Sequence, residues 1–368
     1  MAISAVDAVQ PAFDHARQQL FARFRWGMWW RLALVGLLAG ELHVGGCNFG
    51  RAFGPLPQSK QGGKVPVPIF HPPHIDPARL SQLIGLILMG ALAVIVVGFI
   101  LLYVNSVFRF ILFDSVLRRD CSSVGDGWDR WRRAGRRYFL WQLVYQISVG
   151  IFFLMLVGIP LMFAASAGWI KDPSAHIGRL AGSAFLLIAV FLFCALVAVA
   201  VQILARDFLV PIMAIEDLDF ADGWSRLLSL IRPEPGKFIL YLLMKLVLLI
   251  GAAIIFGIAA VIPVAAVAVP IVIAVLAGRN AGMTWNVNTI SLAVIFGTLA
   301  LLLLVYLISL VSVPASVFFP AYAMYFLAGR YPNLQAVLNP APITPAPQSP
   351  PPIPESPPPL SPTPEPIG

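Results

Sequence analysis

Two short segments of similar sequence contain the residue types best suited to bind anionic groups at a membrane surface. The first reads Asp-Gly-Trp-Asp-Arg at residues 126–130, and the second reads Asp-Gly-Trp-Ser-Arg at residues 222–226. An apolar run that begins with aromatic residues follows each segment. Because a motif that recurs beside the same kind of apolar run is typical of a duplicated membrane-helix unit, we predict internally repeated hairpin units.

The first segment and the residues after it form a predicted amphipathic helix. Trp128 and Trp131 fall on one stripe of this helix, together with Gly135 and Tyr138. The other faces carry five arginines: Arg130, Arg132, Arg133, Arg136 and Arg137. This pattern is typical of a helix that lies in the membrane interface, where indole rings sit among lipid headgroups and guanidinium groups contact phosphates.

The second segment predicts a shorter helix of the same kind. Trp224 lies on its apolar stripe, and Arg226 and Arg232 supply its positive charges. Asp222 occupies the place that Asp126 has in the first segment, and we predict that both aspartates are helix N-caps. Two interpretations of the ten tryptophans and arginines stay open: recognition of a lipid headgroup, or the ordinary anchoring and topology of a membrane protein.

Five polar residues lie inside predicted membrane spans: Glu41, Gln142, Gln146, Gln202 and Lys245. Ionisable groups in such positions are candidates for function. We expect Lys245 either to extend towards the cytoplasmic side or to pair with Glu41. The glutamines are predicted to form hydrogen bonds between helices. A small-solute transporter or channel would use the same residues, and this is the alternative function.

The composition requires elements that face lipid. Apolar residues make up 59% of the 368 residues and charged residues 11%, compared with about 25% charged in a soluble domain. We therefore predict an all-α, polytopic transmembrane helical bundle with interfacial amphipathic helices. The six predicted spans are residues 26–46, 82–104, 139–163, 181–204, 238–262 and 290–312. The first of them contains Arg31 and is the weakest, and residues 246–278 are long enough for one pass or two.

A second similarity links the ends of three apolar runs. Residues 208–214 and 317–323 each place a proline inside an aromatic, apolar stretch. Residues 108–116 occupy the equivalent place without a proline. The comparison predicts three related units, of which the third lacks the Asp-Gly-Trp turn.

The chain divides into three predicted parts: a cytoplasmic amphipathic segment at residues 1–25, a transmembrane domain at residues 26–335, and a disordered, proline-rich tail at residues 336–368. The tail has 14 prolines from residue 339 onward. It is predicted to be an unstructured tether, or alternatively a ligand for the groove of a protein partner.

The distribution of basic residues predicts the orientation. Residues 105–137 contain eight arginines and residues 205–237 contain four lysines or arginines; with the N-terminal segment and Arg330 this side has 17 basic residues, whereas the other side has seven. Because basic loops stay in the cytoplasm, we predict a multi-pass protein of the bacterial cytoplasmic (inner) membrane with both termini in the cytoplasm.

Catalytic and cofactor-binding patterns are missing from the sequence. It contains no nucleophile elbow, P-loop, dinucleotide fingerprint or His-Glu-x-x-His motif. His71 and His74 lie near His43 and Cys47, but the two prolines between the first pair and the lack of a second pair with ligand spacing argue against a metal site. We predict no enzyme activity, no cofactor, no metal and no nucleic-acid partner.

The sequence resembles a broad group of uncharacterised bacterial six-helix membrane proteins. It also resembles the membrane domain that is fused to some glycerophosphodiester phosphodiesterases. Residues 29–34, 208–226 and 313–330 carry the resemblance. The hydrolase domain itself has no counterpart here, so the resemblance implies a membrane-embedded helper or anchor and no catalysis.

The expected function is therefore that of a non-enzymatic integral membrane protein. Its expected partners are membrane lipids, anionic ones above all, and a protein that binds the proline-rich tail.

Overall fold

The computed structural model describes residues 4–22, 24–41, 77–121, 123–169, 177–280, 282 and 286–338. Within these ranges all regular structure is helical. In chain order the helices are α1 (Val9–Phe21), α2 (Trp26–Leu38), α3 (Pro77–Leu117), α4 (Val124–Ser166), α5 (Ile177–Leu204), a π-helical segment (Ala205–Leu209), α6 (Val210–Glu216), α7 (Phe220–Ile231), α8 (Pro235–Asn280), α9 (Val287–Val311), α10 (Val313–Ala328) and α11 (Pro332–Leu338).

Five stretches of helix in the described part of the chain are long and apolar enough to cross a membrane: Ile84–Leu117, Val124–Ser166, Ile177–Glu216, Pro235–Gly278 and Thr289–Val311. They contain most or all of five of the six predicted spans. The prediction of an all-α protein with several apolar, membrane-length helices is confirmed, and these helices indicate an integral membrane protein.

The remaining predicted span, residues 26–46, is described only as far as Glu41. Its helix, α2, has 13 residues, which corresponds to a length of about 20 Å, shorter than the hydrocarbon core. The helix ends where Gly40 adopts a left-handed conformation with φ of 73°. Residues 42–46 lie outside the described part, so this span stays a prediction.

Residues 246–278 belong to one continuous helix, α8, rather than to two helices. Pro263 and Pro270 both lie inside it. A proline removes one backbone hydrogen bond, and a membrane helix tolerates this loss where neighbouring groups or a local change of helix geometry satisfy the freed carbonyl.

Buried side chains are concentrated at one end of the long helices, and we call this packed end the head. It consists of α1, α2, α6, α7, α10 and α11, the π-helical segment, and the adjoining ends of α3, α4, α8 and α9. Large side chains such as Tyr138, Tyr241 and Tyr322 are fully buried there.

Beyond the head the long helices expose most of their large apolar side chains. We call this part the belt, and it comprises residues 84–101, 144–163, 185–199, 246–276 and 290–303. The exposed stretches of α3 and α4 are about 27 and 30 Å long at 1.5 Å per residue, which is the thickness of a bilayer's hydrocarbon core. The head therefore lies at one edge of the belt.

The first basic segment does not form a separate interfacial helix. Helix α4 starts at Val124 and continues without interruption to Ser166, so this segment is the beginning of a membrane-length helix. The prediction of an interfacial helix is wrong for this copy. The second segment forms a separate helix, α7, because Pro233 follows its last residues and another proline begins α8.

The aromatic stripe at the start of α4 faces α3, and the two helices pack closely there. Trp128 packs against Phe108 with ring centroids 5.9 Å apart, and Trp131 stacks on Phe110 at 5.7 Å. Between these contacts and Tyr138, a Cβ atom built on Gly135 would lie 2.8 Å from the Cα atom of Val107. The stripe is thus one face of the helix, as predicted, and this face packs on α3.

The head also includes regions that the sequence assigned to separate parts. Helix α1, from the predicted segment 1–25, packs on α10 and buries Ala8 and Leu20. At the other end, α11 extends to Leu338 and buries Leu334. The tail beyond it, residues 339–368, lies outside the described residues.

Hydrogen bonds of His15 connect α1 to the rest of the head. Its ring is 2% exposed; Nε2 is 2.9 Å from the carbonyl oxygen of Val116, and Nδ1 is 3.2 Å from the hydroxyl of Tyr325. Nε2–H therefore donates to the carbonyl, and Nδ1 accepts from the tyrosine. Burial lowers the pKa of His15, the bond to Val116 opposes this, and Arg119 lowers the pKa further.

We expect Gly135→Ala to lower the free energy of unfolding by about 1–3 kcal/mol, because the new methyl group would overlap the backbone of α3. The matched control is Gly150→Ala in the same helix, where no atom lies within 4 Å of the added Cβ. Thermal unfolding in a mild detergent measures both variants. A Gly135→Ala midpoint equal to that of the control would contradict the close packing of α3 and α4.

We expect the head to lose stability in acid through His15. The pKa of His15 is lower in the folded than in the unfolded protein, so protonation of His15 favours unfolding. The contribution of neutral His15 to the free energy of unfolding is therefore complete above the unfolded pKa of 6.5, and it is lost as the pH falls from 6.5 towards the folded pKa. The unfolding midpoint should thus drop more between pH 7.5 and 5.5 for the parent than for His15→Gln. Equal drops in both proteins would show that His15 does not titrate as described.

Candidate functional site

The three segments related by sequence meet in the head. Residues 108–116 lie in α3, residues 208–214 extend from the π-helical segment into α6, and residues 317–323 lie in α10. These elements contact one another pairwise and surround a cleft. Their origin by duplication stays a prediction, but the similar segments occupy one place in the fold.

The π-helical segment brings two charged residues into this cleft. Pro211 has no N–H group, so the carbonyl of Asp207 cannot receive the usual α-helical hydrogen bond. The backbone widens here, and the N–H group of Val210 donates to the carbonyl of Ala205 instead. Such π-helical turns are frequent at functional sites. Arg206 and Asp207 lie on this turn.

Five charged side chains line the cleft, and they come from four parts of the chain: Glu41, Arg109, Arg206, Asp207 and Lys245. The apolar walls include Phe319 and the two related prolines, Pro211 and Pro320. The cavity volume of the cleft is about 40 Å³, which is room for a few water-sized groups.

Two buried ion pairs connect the helices around the cleft. Lys245 pairs with Asp207, and each side chain is 7% exposed. Arg206 pairs with Glu41, whose side chain is also 7% exposed. The hydroxyl of Tyr241 donates a second hydrogen bond to Asp207 at 2.8 Å. Because a buried charge is costly without a partner, each of these residues depends on the other member of its pair.

The structure corrects the predicted partner of Lys245. Its ammonium group does not extend to water, and it pairs with Asp207 rather than with Glu41. Glu41 nevertheless lines the same cleft. The sequence analysis missed Arg109, Arg206 and Asp207. A signal was present, because Arg206 and Asp207 interrupt an apolar run just before the proline-containing segment, and Arg109 lies in the equivalent segment of α3.

Arg109 has a different environment from the other two cations. One of its terminal nitrogens, Nη1, donates to the hydroxyl of Tyr138 at 2.8 Å, and the guanidinium carbon lies 5.7 Å from the ring centroid. Its Nε atom is buried without a hydrogen-bond partner. Among the described residues no carboxylate lies within 4 Å of Arg109. The cleft therefore has three cations and two carboxylates.

The three predicted intramembrane glutamines have different surroundings. Gln142 accepts a hydrogen bond from Ser106 of α3 at 3.2 Å, so the predicted link between helices is present there. Gln146 is exposed on α4. The amide oxygen of Gln202 is buried without a partner among the described residues.

The predicted interface tryptophans belong to the packing of the head. Trp128 and Trp131 face α3, and Trp224 packs against Trp141 with ring centroids 5.7 Å apart. The indole N–H groups of Trp131 and Trp224 are buried without a partner in the described part of the chain. These rings pack between helices and are half-buried, and their contact with lipid headgroups stays a prediction.

The predicted interface arginines fall into two groups. Three of them form ion pairs on the surface of the head: Arg130 with Asp114, Arg137 with Asp217 and Asp219, and Arg226 with Glu216. The other four are exposed and have no carboxylate within 4 Å in the part of the chain that the structure describes. We call these the open arginines: Arg132, Arg133, Arg136 and Arg232.

The predicted helix caps are displaced by three residues. Ser123 is the N-cap of α4 and accepts a hydrogen bond from the backbone N–H of Asp126, and Asp219 is the N-cap of α7. Asp126 and Asp222 lie instead in the first turns, where a negative charge favours the helix dipole. Both helices begin earlier than the Asp-Gly-Trp motif suggested.

No group of three or more His, Cys, Asp or Glu side chains that could hold a metal ion occurs among the described residues. The four residues that the sequence analysis considered for a metal, His43, Cys47, His71 and His74, lie outside the described part. The absence of a metal site stays a prediction.

The chain belongs to a family of unknown function (DUF7544), whose model matches residues 3–337. The resemblance to uncharacterised membrane proteins agrees with this match, whereas no link to the membrane domain of glycerophosphodiester phosphodiesterases is shown. No characterised protein and no solved structure matches the chain.

We expect the pair Lys245–Asp207 to be essential to the head. Lys245→Met would leave Asp207 buried without its cation and should lower the free energy of unfolding by about 3–5 kcal/mol. Because the double variant Lys245→Met/Asp207→Leu removes both charges, it should lose less than the sum of the two single variants. Arg118→Gln is the control, since the side chain of Arg118 is 59% exposed and its ion pair with Asp114 is therefore screened by water. Denaturation in mild detergent measures all four, and a Lys245→Met protein as stable as the control would refute the buried pair.

Proposed function

We propose that this chain is a non-enzymatic integral protein of a bacterial cytoplasmic membrane and that its head binds anionic lipid at the cytoplasmic leaflet. The observation that carries the proposal is the position of the open arginines of α4. Arg132, Arg133 and Arg136 are exposed and lack carboxylate partners within the described residues, and they lie just outside the apolar belt.

The distances along α4 agree with contact to phosphates. Arg136 precedes Leu140, which is 52% exposed, by one helical turn, and it precedes Val144, which is 63% exposed, by two turns. At 1.5 Å per residue these separations are about 6 and 12 Å. If the hydrocarbon core of the bilayer ends near Leu140, these separations place Arg136 in the headgroup layer.

The orientation with the head in the cytoplasm has two supports. Residues 105–137, which join two predicted spans, contain eight arginines, more than any other connection between the predicted spans. In addition, the amide of Asn105 donates to the carbonyl of Leu38, whereas α3 begins at Pro77, about 42 Å from Asn105 along the helix. The end of α2 therefore lies far along α3 from its first residue, and this separation supports our proposal of a sixth crossing with both termini on the cytoplasmic side.

A small-solute transporter or channel is the rival function. Its binding site would be expected near the middle of the membrane. Arg109 lies eight residues beyond Leu101, and Arg206 lies seven residues beyond Val199, the last large exposed side chains of the belt in α3 and α5. These separations of about 12 and 10 Å place the cleft at the edge of the belt, which favours an interfacial ligand.

The proline-rich tail adds a second proposed partner. Its Pro-x-x-Pro sequences follow the head directly and would extend from it into the cytoplasm. A protein with a groove for polyproline segments could then be held beside the lipid-binding surface.

We expect the triple variant Arg132→Gln/Arg133→Gln/Arg136→Gln to lose phosphatidylglycerol. Each cation near an anionic surface contributes about 1 kcal/mol, so the affinity should fall by roughly 100-fold at low salt. The matched control replaces the same three residues by lysine, which retains the charges. Native mass spectrometry in mild detergent, with phosphatidylcholine as the neutral lipid, measures the retained lipid.

The lysine control should retain phosphatidylglycerol like the parent, and binding to all three proteins should weaken with salt. Equal retention of phosphatidylglycerol by the glutamine variant and the parent would reject the surface as a lipid-binding site and would direct attention to transport.

A further inference from the structure

Counted over the residues that the structure describes, the charged cleft has one positive charge more than it has negative charges. Lys245 and Arg206 each have a carboxylate partner, whereas Arg109 has only the neutral hydroxyl of Tyr138 within the described residues. A cation enclosed by protein is unfavourable unless an anion compensates it. The charge balance therefore favours an additional anion in the cleft.

The hydrogen-bonding capacity of Arg109 agrees with this conclusion. The buried Nε–H has no acceptor in the described part of the chain, and an unsatisfied buried donor is costly. The guanidinium fork suits two oxygens of a phosphate or phosphodiester, which accept parallel hydrogen bonds from it. The nearby cations Arg206 and Lys245 would add attraction for the same group.

The walls and location of the cleft indicate a phosphorylated ligand with an apolar part. Pro211, Phe319 and Pro320 form apolar walls beside the charges. The side chain of Arg206 is 25% exposed, so the cleft is open on this side. Because the cleft lies at the edge of the belt, a ligand could place its phosphate among the cations while its chains stay in the membrane.

We propose that the cleft is a specific site for one phosphate-type anion, with Arg109 as its principal ligand. The phosphodiester of an anionic lipid and a free phosphate ester share this chemistry. The lipid form deepens and rests on the proposed function, since it makes the cleft the selective site and the open arginines the general attractive surface.

The test compares four proteins in mild detergent after removal of lipid: the parent, Arg109→Gln, Arg109→Lys and Arg118→Gln. Arg118 is the matched control because it directly follows the helix that carries Arg109, is exposed and is outside the cleft. The probes are short-chain phosphatidylglycerol, short-chain phosphatidylcholine, glycerol 1-phosphate and inorganic phosphate. Native mass spectrometry gives the number bound and the affinity, and thermal unfolding gives the stabilisation by each probe.

We expect the parent and Arg118→Gln to bind one phosphatidylglycerol tightly. Arg109→Gln should bind it roughly 10- to 100-fold more weakly, because a hydrogen-bonded charge pair is lost. Arg109→Lys should fall between them, since it keeps the charge but loses the fork. If Arg109→Gln does not fold, the phosphatidylglycerol affinity of Arg109→Lys tests the proposal in its place.

The probes distinguish the two sources of the anion. If glycerol 1-phosphate or inorganic phosphate stabilises the parent and displaces phosphatidylglycerol, the site binds free phosphate groups. If only phosphatidylglycerol stabilises it and phosphatidylcholine does not, the ligand is an anionic lipid headgroup. In both cases the stabilisation must depend on Arg109.

The proposal is overturned if Arg109→Gln and Arg109→Lys bind every probe like the parent, or if they only lower the unfolding midpoint without changing affinity. Comparison with the triple arginine variant separates the two proposals. If the triple arginine variant binds phosphatidylglycerol more weakly and the Arg109 variants bind it like the parent, only the cleft proposal is refuted. If the Arg109 variants bind it more weakly and the triple variant binds it like the parent, only the surface proposal is refuted. If every variant binds the probes like the parent, both proposals are refuted.

Discussion

The need to compensate buried charge organises the head of this protein. Lys245 of α8 and Asp207 of the π-helical segment are both almost fully buried, and Arg206 beside them reaches Glu41 after α2. Apolar side chains pack as well against lipid as against another helix, so they do little to select which membrane helices meet. A buried ion pair does select, because separating its members leaves a charge in a medium of low dielectric constant. The two pairs thus specify how α2, α8 and the end of α5 come together.

This constraint explains why a proline-broken helix end lies at the centre of the fold. A regular helix through Pro211 would leave the carbonyl of Asp207 without a donor. The π-helical turn accommodates the proline and carries Arg206 and Asp207 into the cleft. Pro320 of α10 lines the opposite wall, in the segment that resembles this one in sequence. The similar segments thus surround one site, and the charges of that site come from only some of them.

The division into head and belt separates two kinds of arginine. Arg132, Arg133 and Arg136 face outward beside the belt, where salt and mobile lipids screen them, so they suit general attraction to an anionic surface. Arg109 is partly enclosed, and its Nε atom has no partner. Weak screening makes such a cation selective for one anion in a defined geometry. A surface that collects anionic lipid beside a cleft that selects one headgroup would give this family a role in which lipid identity matters.

The sequence by itself determined the all-helical class, the five long apolar helices and the clustering of basic residues near one edge of the belt, because composition and hydropathy act locally along the chain. It also indicated that the aromatic stripe with Trp128 and Trp131 is one helical face. Only the tertiary structure decided what that face contacts, because an apolar stripe at helical spacing packs equally well on lipid or on α3. The same holds for Lys245 and Asp207, which are 38 residues apart. Nothing local distinguishes an ion pair with Asp207 from one with Glu41, since the choice depends on how far each helix end reaches into the shared cleft.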